Sequence, residues 1–184
     1  MVRIAALALF ALIIVACGGT PEQPTPMATT AAAPTPTTSS SPITSTRAEV
    51  QSRGLGLDRD VWERDHVPGS VEYGYQTYDT WKYWVVYTDD LISHLELNFD
   101  EPYPTLETAL DEAAKLIPVD SVFIRTYSPE GMPDLVVSLY SSEYLRERFP
   151  ADAFIEAEPG EFIMIAADAE GGVSRVVLAL GNHP

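Results

Sequence analysis

From Gly18 to about Thr46 the chain is nearly all Thr, Pro, Ala and Ser, and Glu22 is its only charge. Such a stretch has almost nothing apolar to bury, so it cannot offset the entropy of ordering and is expected to be disordered. Its prolines (Pro21, Pro24, Pro26, Pro34, Pro36, Pro42) stiffen it toward polyproline II. At about 3.1 Å per residue its contour reaches several nanometres. Folding is thereby confined to residues 47–184. A domain of roughly 140 residues can bury enough apolar surface to do without disulfides or a structural metal.

Within that domain the pattern alternates between helical and strand periods. Leu57 to His66 reads as a short helix, with Asp58 placed to cap it and Leu57 and Trp62 spaced as a hydrophobic staple; Pro68-Gly69 ends it. Val71, Tyr73 and Tyr75 alternate with Glu72, Gly74 and Gln76, which predicts a strand. Trp81 to Thr88 is apolar on both faces and reads as the central strand. Leu91 to Phe99 is the third, with tight turns expected at Tyr78-Asp79 and Asp89-Asp90. Thr105 caps a helix whose stripe runs Leu106, Ala109, Leu110, Ala113, Ala114 and Ile117. Ser121 to Tyr127 and Leu135 to Tyr140 are strands, and Ser142 starts a short helix ending near Phe149. Glu161 to Ala167 and Val173 to Leu180 form a last hairpin around Glu170-Gly171-Gly172. The expected class is α+β, with mainly antiparallel sheet and two to three short helices on one face. One sheet or two remains open at this point.

The first seventeen residues have a different character. Arg3 precedes an unbroken apolar run from Ile4 to Val15, and Ile14-Val15-Ala16-Cys17 has the form of a lipobox. The run is too short to cross roughly 30 Å of hydrocarbon but has the length of a signal h-region. This segment resembles the bacterial lipoprotein signal. The resemblance implies removal of residues 1–16 and acylation of Cys17, with palmitate-like chains anchoring residues 17–46 as a lipidated linker ahead of the domain at 47–184. More than one acyl chain holds a membrane firmly. It also implies an extracytoplasmic location on the cell membrane or outer membrane, and leaves the mature chain without a free thiol. Farther on, Gly56-Leu57-Asp58-Arg59 through Trp62-Glu63, followed by an aromatic sheet, resembles small envelope lipoprotein modules of the BamE-like and β-lactamase-inhibitor-like types. That resemblance implies the fold class and carries no functional residues over.

Charge narrows the partners. Eleven basic residues face 27 acidic ones, a formal net charge of −16, which becomes −17 when Arg3 leaves with the signal. Phosphate binding needs clustered Lys or Arg, so nucleic acid is not an expected partner. Attachment to the membrane is expected through the N-terminal lipid, with a protein or glycan of the envelope as partner.

Chemistry-bearing motifs are few. His66, His94 and His183 are far apart in sequence and none lies in a zinc-binding spacing. Asp58 and Asp60 lack the oxygen-rich loop of a calcium site. There is no G-x-S-x-G elbow and no glycine-rich loop ahead of a helix, so no catalytic residue, metal or cofactor is assigned. The feature that points to binding is aromatic: Tyr73, Tyr75, Trp81, Tyr83, Trp84 and Tyr87 crowd neighbouring strands. Left uncovered, such a face would stack on sugar rings or anchor a protein partner. The sequence thus supports a non-catalytic surface binding module. Two alternatives stand beside it: a small envelope hydrolase using Asp89 or Asp100 with Glu101, and a purely structural spacer domain.

Overall fold

The computed structural model describes residues 51–101, 103–167 and 171–184. The signal, Cys17, the proline-rich linker, Pro102 and Glu170 lie outside the described residues. Among the described residues, no helix is long and apolar enough to cross a membrane.

Eight strands among the described residues form a single antiparallel sheet. In chain order the elements are α1 (Arg59–Asp65), β1 (Pro68–Glu72), β2 (Tyr75–Tyr78), β3 (Tyr83–Thr88), β4 (Leu91–Asn98), α2 (Leu106–Ala113), β5 (Val122–Tyr127), β6 (Leu135–Ser141), α3 (Glu143–Arg148), β7 (Glu161–Ala167) and β8 (Arg175–Leu180). The strand order is β1-β2-β3-β4-β8-β7-β6-β5. Two four-stranded arrays therefore meet where β4 pairs with β8, from His94↔Ala179 to Asn98↔Arg175.

The sequence expectation of α+β with an antiparallel sheet holds, and local chemistry explains most of the boundaries. Thr105 accepts a hydrogen bond from the Thr108 amide at the start of α2, and Ser142 does the same for Leu145 in α3. Asp120 adds to the second cap by accepting from the Ser142 hydroxyl at 2.6 Å and the Tyr144 amide at 2.9 Å. Asp89 and Asp90 both have positive φ and join Thr88 to Leu91 in a two-residue turn, whose hand matches the twist of the strands it links.

Three local expectations are corrected. The alternating run from Val71 to Gln76 is two strands, because Tyr73 (φ 52°) and Gly74 (φ 90°) reverse the chain and pair Glu72 with Tyr75. Because Glu72 and Tyr75 are paired they face the same side, so the alternation changes phase at the turn and Val71 and Tyr75 end on opposite faces. The strand expected from Trp81 begins at Tyr83, and it lies third from one edge while β4 and β8 occupy the centre. Asp58 occupies the N-cap position of α1 but makes no side-chain cap hydrogen bond; its carboxylate instead accepts from Arg148 at 2.7 Å. A charged partner on α3 outcompetes a backbone amide.

The helices α1, α2 and α3 pack on one face. Trp62 of α1, Ala109 and Ala113 of α2, and Tyr144, Leu145 and Phe149 around α3 share a core with Tyr83, Val85, Leu95, Leu97, Phe162, Met164, Val176 and Leu178 of the sheet. Gly56 (φ 81°) lets the segment before α1 lie against α3: a Cβ there would sit 2.6 Å from Leu145 Cδ2, and the Tyr144 hydroxyl donates to the Gly56 carbonyl. The opposite face has a smaller buried cluster, Val137, Leu139 and Ile163, which contains no helix residue among those described. Tyr127 packs against it and donates from its hydroxyl to Asn182 Oδ1 at 2.6 Å.

Candidate functional site

Successive strand residues point to opposite faces, so β3 sorts the aromatic residues that looked like one group in sequence. Tyr83 is 8% exposed and lies in the helix-covered core beside Trp62, with ring centroids 5.2 Å apart. Tyr87 packs against the same core; its hydroxyl meets that of Tyr78 at 2.7 Å, and the Arg59 guanidinium lies 4.1 Å from its ring centre. Tyr73, 91% exposed, caps the β1–β2 turn. The remaining three come together on the helix-free face. Trp84 lies 5.7 Å from Tyr75 on one side and 5.7 Å from Trp81 on the other.

Trp81 reaches that face from a turn. Asp79, Thr80 and Trp81 all have positive φ (51°, 55° and 75°), a conformation that costs a non-glycine residue on the order of 1 kcal/mol. Asn98 holds the turn in place, donating from its side chain to the Trp81 carbonyl and from its amide to the Lys82 carbonyl. The result leaves Trp81 48% exposed at the end of a three-ring strip.

Polar groups border the strip. Glu96, directly opposite Trp84 in the β3–β4 register, accepts from Arg175 at 2.7 Å and from the His94 ring at 3.2 Å, and His94 touches Tyr75. Burial pushes the Glu96 carboxyl up, but the His94 hydrogen bond and the Arg175 charge outweigh it and hold the group below its ordinary value. Burial first, and then the Glu96 carboxylate, raise the Tyr75 phenol. The strip thus offers stacking faces next to a fixed carboxylate, imidazole and guanidinium.

A second concave feature lies on the helix-covered face. A cavity of about 770 Å³ opens between α1 and the end of α2, over β3 and the end of β4; Trp62, His66, Tyr83 and Leu97 are in its wall. His66, the C-cap of α1, stacks on Trp62 with centroids 3.7 Å apart. Its Nδ1 donates to Asp79 Oδ2 at 2.5 Å, while Asp79 Oδ1 accepts from the Val67 amide at 2.8 Å. Burial raises the Asp79 carboxyl, but these hydrogen bonds prevail and leave it below its ordinary value. The strained turn that presents Trp81 on one face therefore also supplies the carboxylate that orients His66 on the other.

Sequence reasoning did not find this cleft. Its wall draws on positions from Ser52 to Leu116, and only pairing of β3 with β4 and docking of α1 and α2 bring them together. The usable signal was the scarcity of positive charge: Arg53, Arg64, Lys82 and Lys115 all line it.

The loop carboxylates considered for hydrolysis are placed apart from both features. Asp89, Asp100 and Glu101 are exposed, and none lines the cavity. His183 sits in the C-terminal segment and contacts Glu156 at 3.2 Å. Among the described residues no group of three or more His, Cys, Asp or Glu side chains is arranged to hold a metal. No protein-family profile, no curated protein and no solved structure matches this chain.

Proposed function

We propose that this chain is a lipid-anchored, extracytoplasmic binding module without catalytic function of its own, and that it engages an envelope component through the helix-free face of its sheet. The observation that carries the reading is the Tyr75–Trp84–Trp81 strip, open at Trp81 and bordered by Glu96, Arg175 and His94. Rings in this arrangement stack on the C–H faces of sugars, while the polar border serves hydroxyl groups, so a glycan fits better than an apolar protein surface. The net charge, −17 once Arg3 leaves with the signal, favours a neutral or basic glycan over an acidic one. In this reading Cys17 carries the lipid and the proline-rich linker sets the standoff from the membrane.

Two experiments test it. On a carbohydrate array the wild-type domain should retain a defined set of glycans, and Trp81→Ala with Trp84→Ala should lose them while Tyr73→Ala does not. Retention of every ligand by the double variant would remove the strip from the function. Fatty-acid labelling should mark the wild type and not Cys17→Ser; equal labelling of the two would remove the anchor.

A further inference from the structure

We infer that the cleft between α1 and α2 is a binding site for a small amphipathic organic anion, distinct from the aromatic strip. Charge is unevenly distributed over the domain. Of the eleven Lys and Arg residues, Arg3 and Arg47 lie outside the described part, leaving nine; of the 27 acids, Glu22, Glu49, Asp168 and Glu170 lie outside it, leaving 23. Four of those nine cations line the cleft (Arg53, Arg64, Lys82 and Lys115), against two of the 23 acids, Asp65 and Glu112. The sign of the local charge is inverted relative to the rest of the domain.

Pairing within the protein does not use up this charge. Lys115 is bonded to Glu112 at 2.6 Å, and the Arg64 Nε donates to the Asp60 carbonyl. Arg53 and Lys82, by contrast, make no direct ion pair among the described residues, although the Lys82 charge acts at longer range on Asp79. The Lys82 ammonium lies 5.2 Å from the centre of the Tyr83 ring. In an acidic chain, two cations without a direct ion pair at one concave site favour an incoming anion.

The rest of the wall is suited to an apolar body. Leu57, Val61, Trp62, Leu97, Phe99 and Leu116 contribute to it, and about 770 Å³ lies within the ~300–1,000 Å³ typical of small-ligand sites. Two polar groups are also unspent. The Asp79 bond fixes His66 through Nδ1, and Nε2 has no hydrogen-bond partner among the described residues. With its proton on Nδ1, the ring presents Nε2 as an acceptor, and the buried Trp62 indole N–H has no acceptor among the described residues. The charge of an organic anion would lie toward Arg53 and Lys82, and its hydrocarbon part would cover the apolar wall.

Octanoate is the probe, with octanamide as its neutral counterpart and octylammonium as its cationic one. Calorimetric titration of the full lipidated chain in nanodiscs, corrected with empty nanodiscs, should give saturable octanoate binding at least tenfold tighter than that of either counterpart. Arg53→Gln with Lys82→Gln, both at exposed positions, should weaken octanoate about tenfold and leave octanamide unchanged. Trp84→Ala should change nothing, which separates this site from the strip. Equal affinity for the three probes, absence of saturable binding, or octanoate binding indifferent to the double charge removal would each overturn the inference.

Discussion

Tyr83 and Trp84 are neighbours in sequence and face opposite sides of one sheet, and their surroundings summarise the difference between those sides. Beneath the helices, Tyr83 belongs to a core that runs from Leu55 to Leu178 and includes residues of α1, α2 and α3. On the other face Trp84 touches Tyr75 and Trp81 above a polar group of Glu96, His94 and Arg175. One side is organised for stability with a cleft left at its margin. On the other, hydrogen-bonded ions lie beside the rings, and Trp81 is half exposed. The comparison teaches that aromatic density in sequence measures two separate things, filling of a core and display of a surface.

The sharpest test of that division is a pair of equal truncations. Trp62→Ala, at a residue 1% exposed, should cost about 3–5 kcal/mol of stability in chemical denaturation. Trp84→Ala should cost well under half as much while abolishing glycan binding. Similar stability losses would mean that the helix-free face is a second core rather than a display surface.

Next in size is the ionic group beneath the strip. Arg175→Met should destabilise by about 1–3 kcal/mol, because Glu96 is largely buried and loses a charged partner. The Glu96 carboxyl is held below its ordinary value when folded, so the stability it contributes is present above the unfolded-state value of 4.5 and is lost as pH falls through the lower folded one. Wild type and Glu96→Gln should therefore differ in melting temperature at pH 7 and converge in strong acid. A gap that stays constant with pH would show that the carboxylate is not part of the stabilising group.

A smaller effect of the same sign belongs to the cleft. Asp79→Asn should destabilise by about 1 kcal/mol at neutral pH through the weakened bond to His66. Because the Asp79 carboxyl is also held low in the folded state, that difference should fade as the pH drops below 3.8. Smallest of all, Trp81→Ala at a half-exposed turn should shift stability by no more than about 0.5 kcal/mol, yet reduce binding to the strip. A large stability loss there would assign Trp81 to the packing of the turn.

Residues with a local job were legible. Thr105 and Ser142 cap the helices that follow them, and Asp89-Asp90 makes the turn expected of it, since a cap or two-residue turn depends on atoms a few positions apart. Where a distant group competes, local reading fails. Asp58 has the right type and position for a cap, but Arg148, ninety residues away, takes its carboxylate. Tyr73-Gly74 fails for a different reason: Val71, Tyr73 and Tyr75 alternate in sequence across the turn, but the paired strands put Val71 and Tyr75 on opposite faces.

What the sequence by itself determined is the division of the chain: a short apolar start ending at Cys17, a segment too polar and proline-rich to make a core, and an acidic α+β domain whose helices and strands follow their periodicities. What only the tertiary structure decided is which residues share a surface. Strand pairing and helix docking sent Tyr83 inward and gathered Tyr75, Trp81 and Trp84 on the other side. They also drew Arg53 and Lys82 to one cleft with His66. The physical reason is range: propensity and capping act within a turn or two of chain, whereas a binding surface is made by contacts between segments that the sequence keeps far apart.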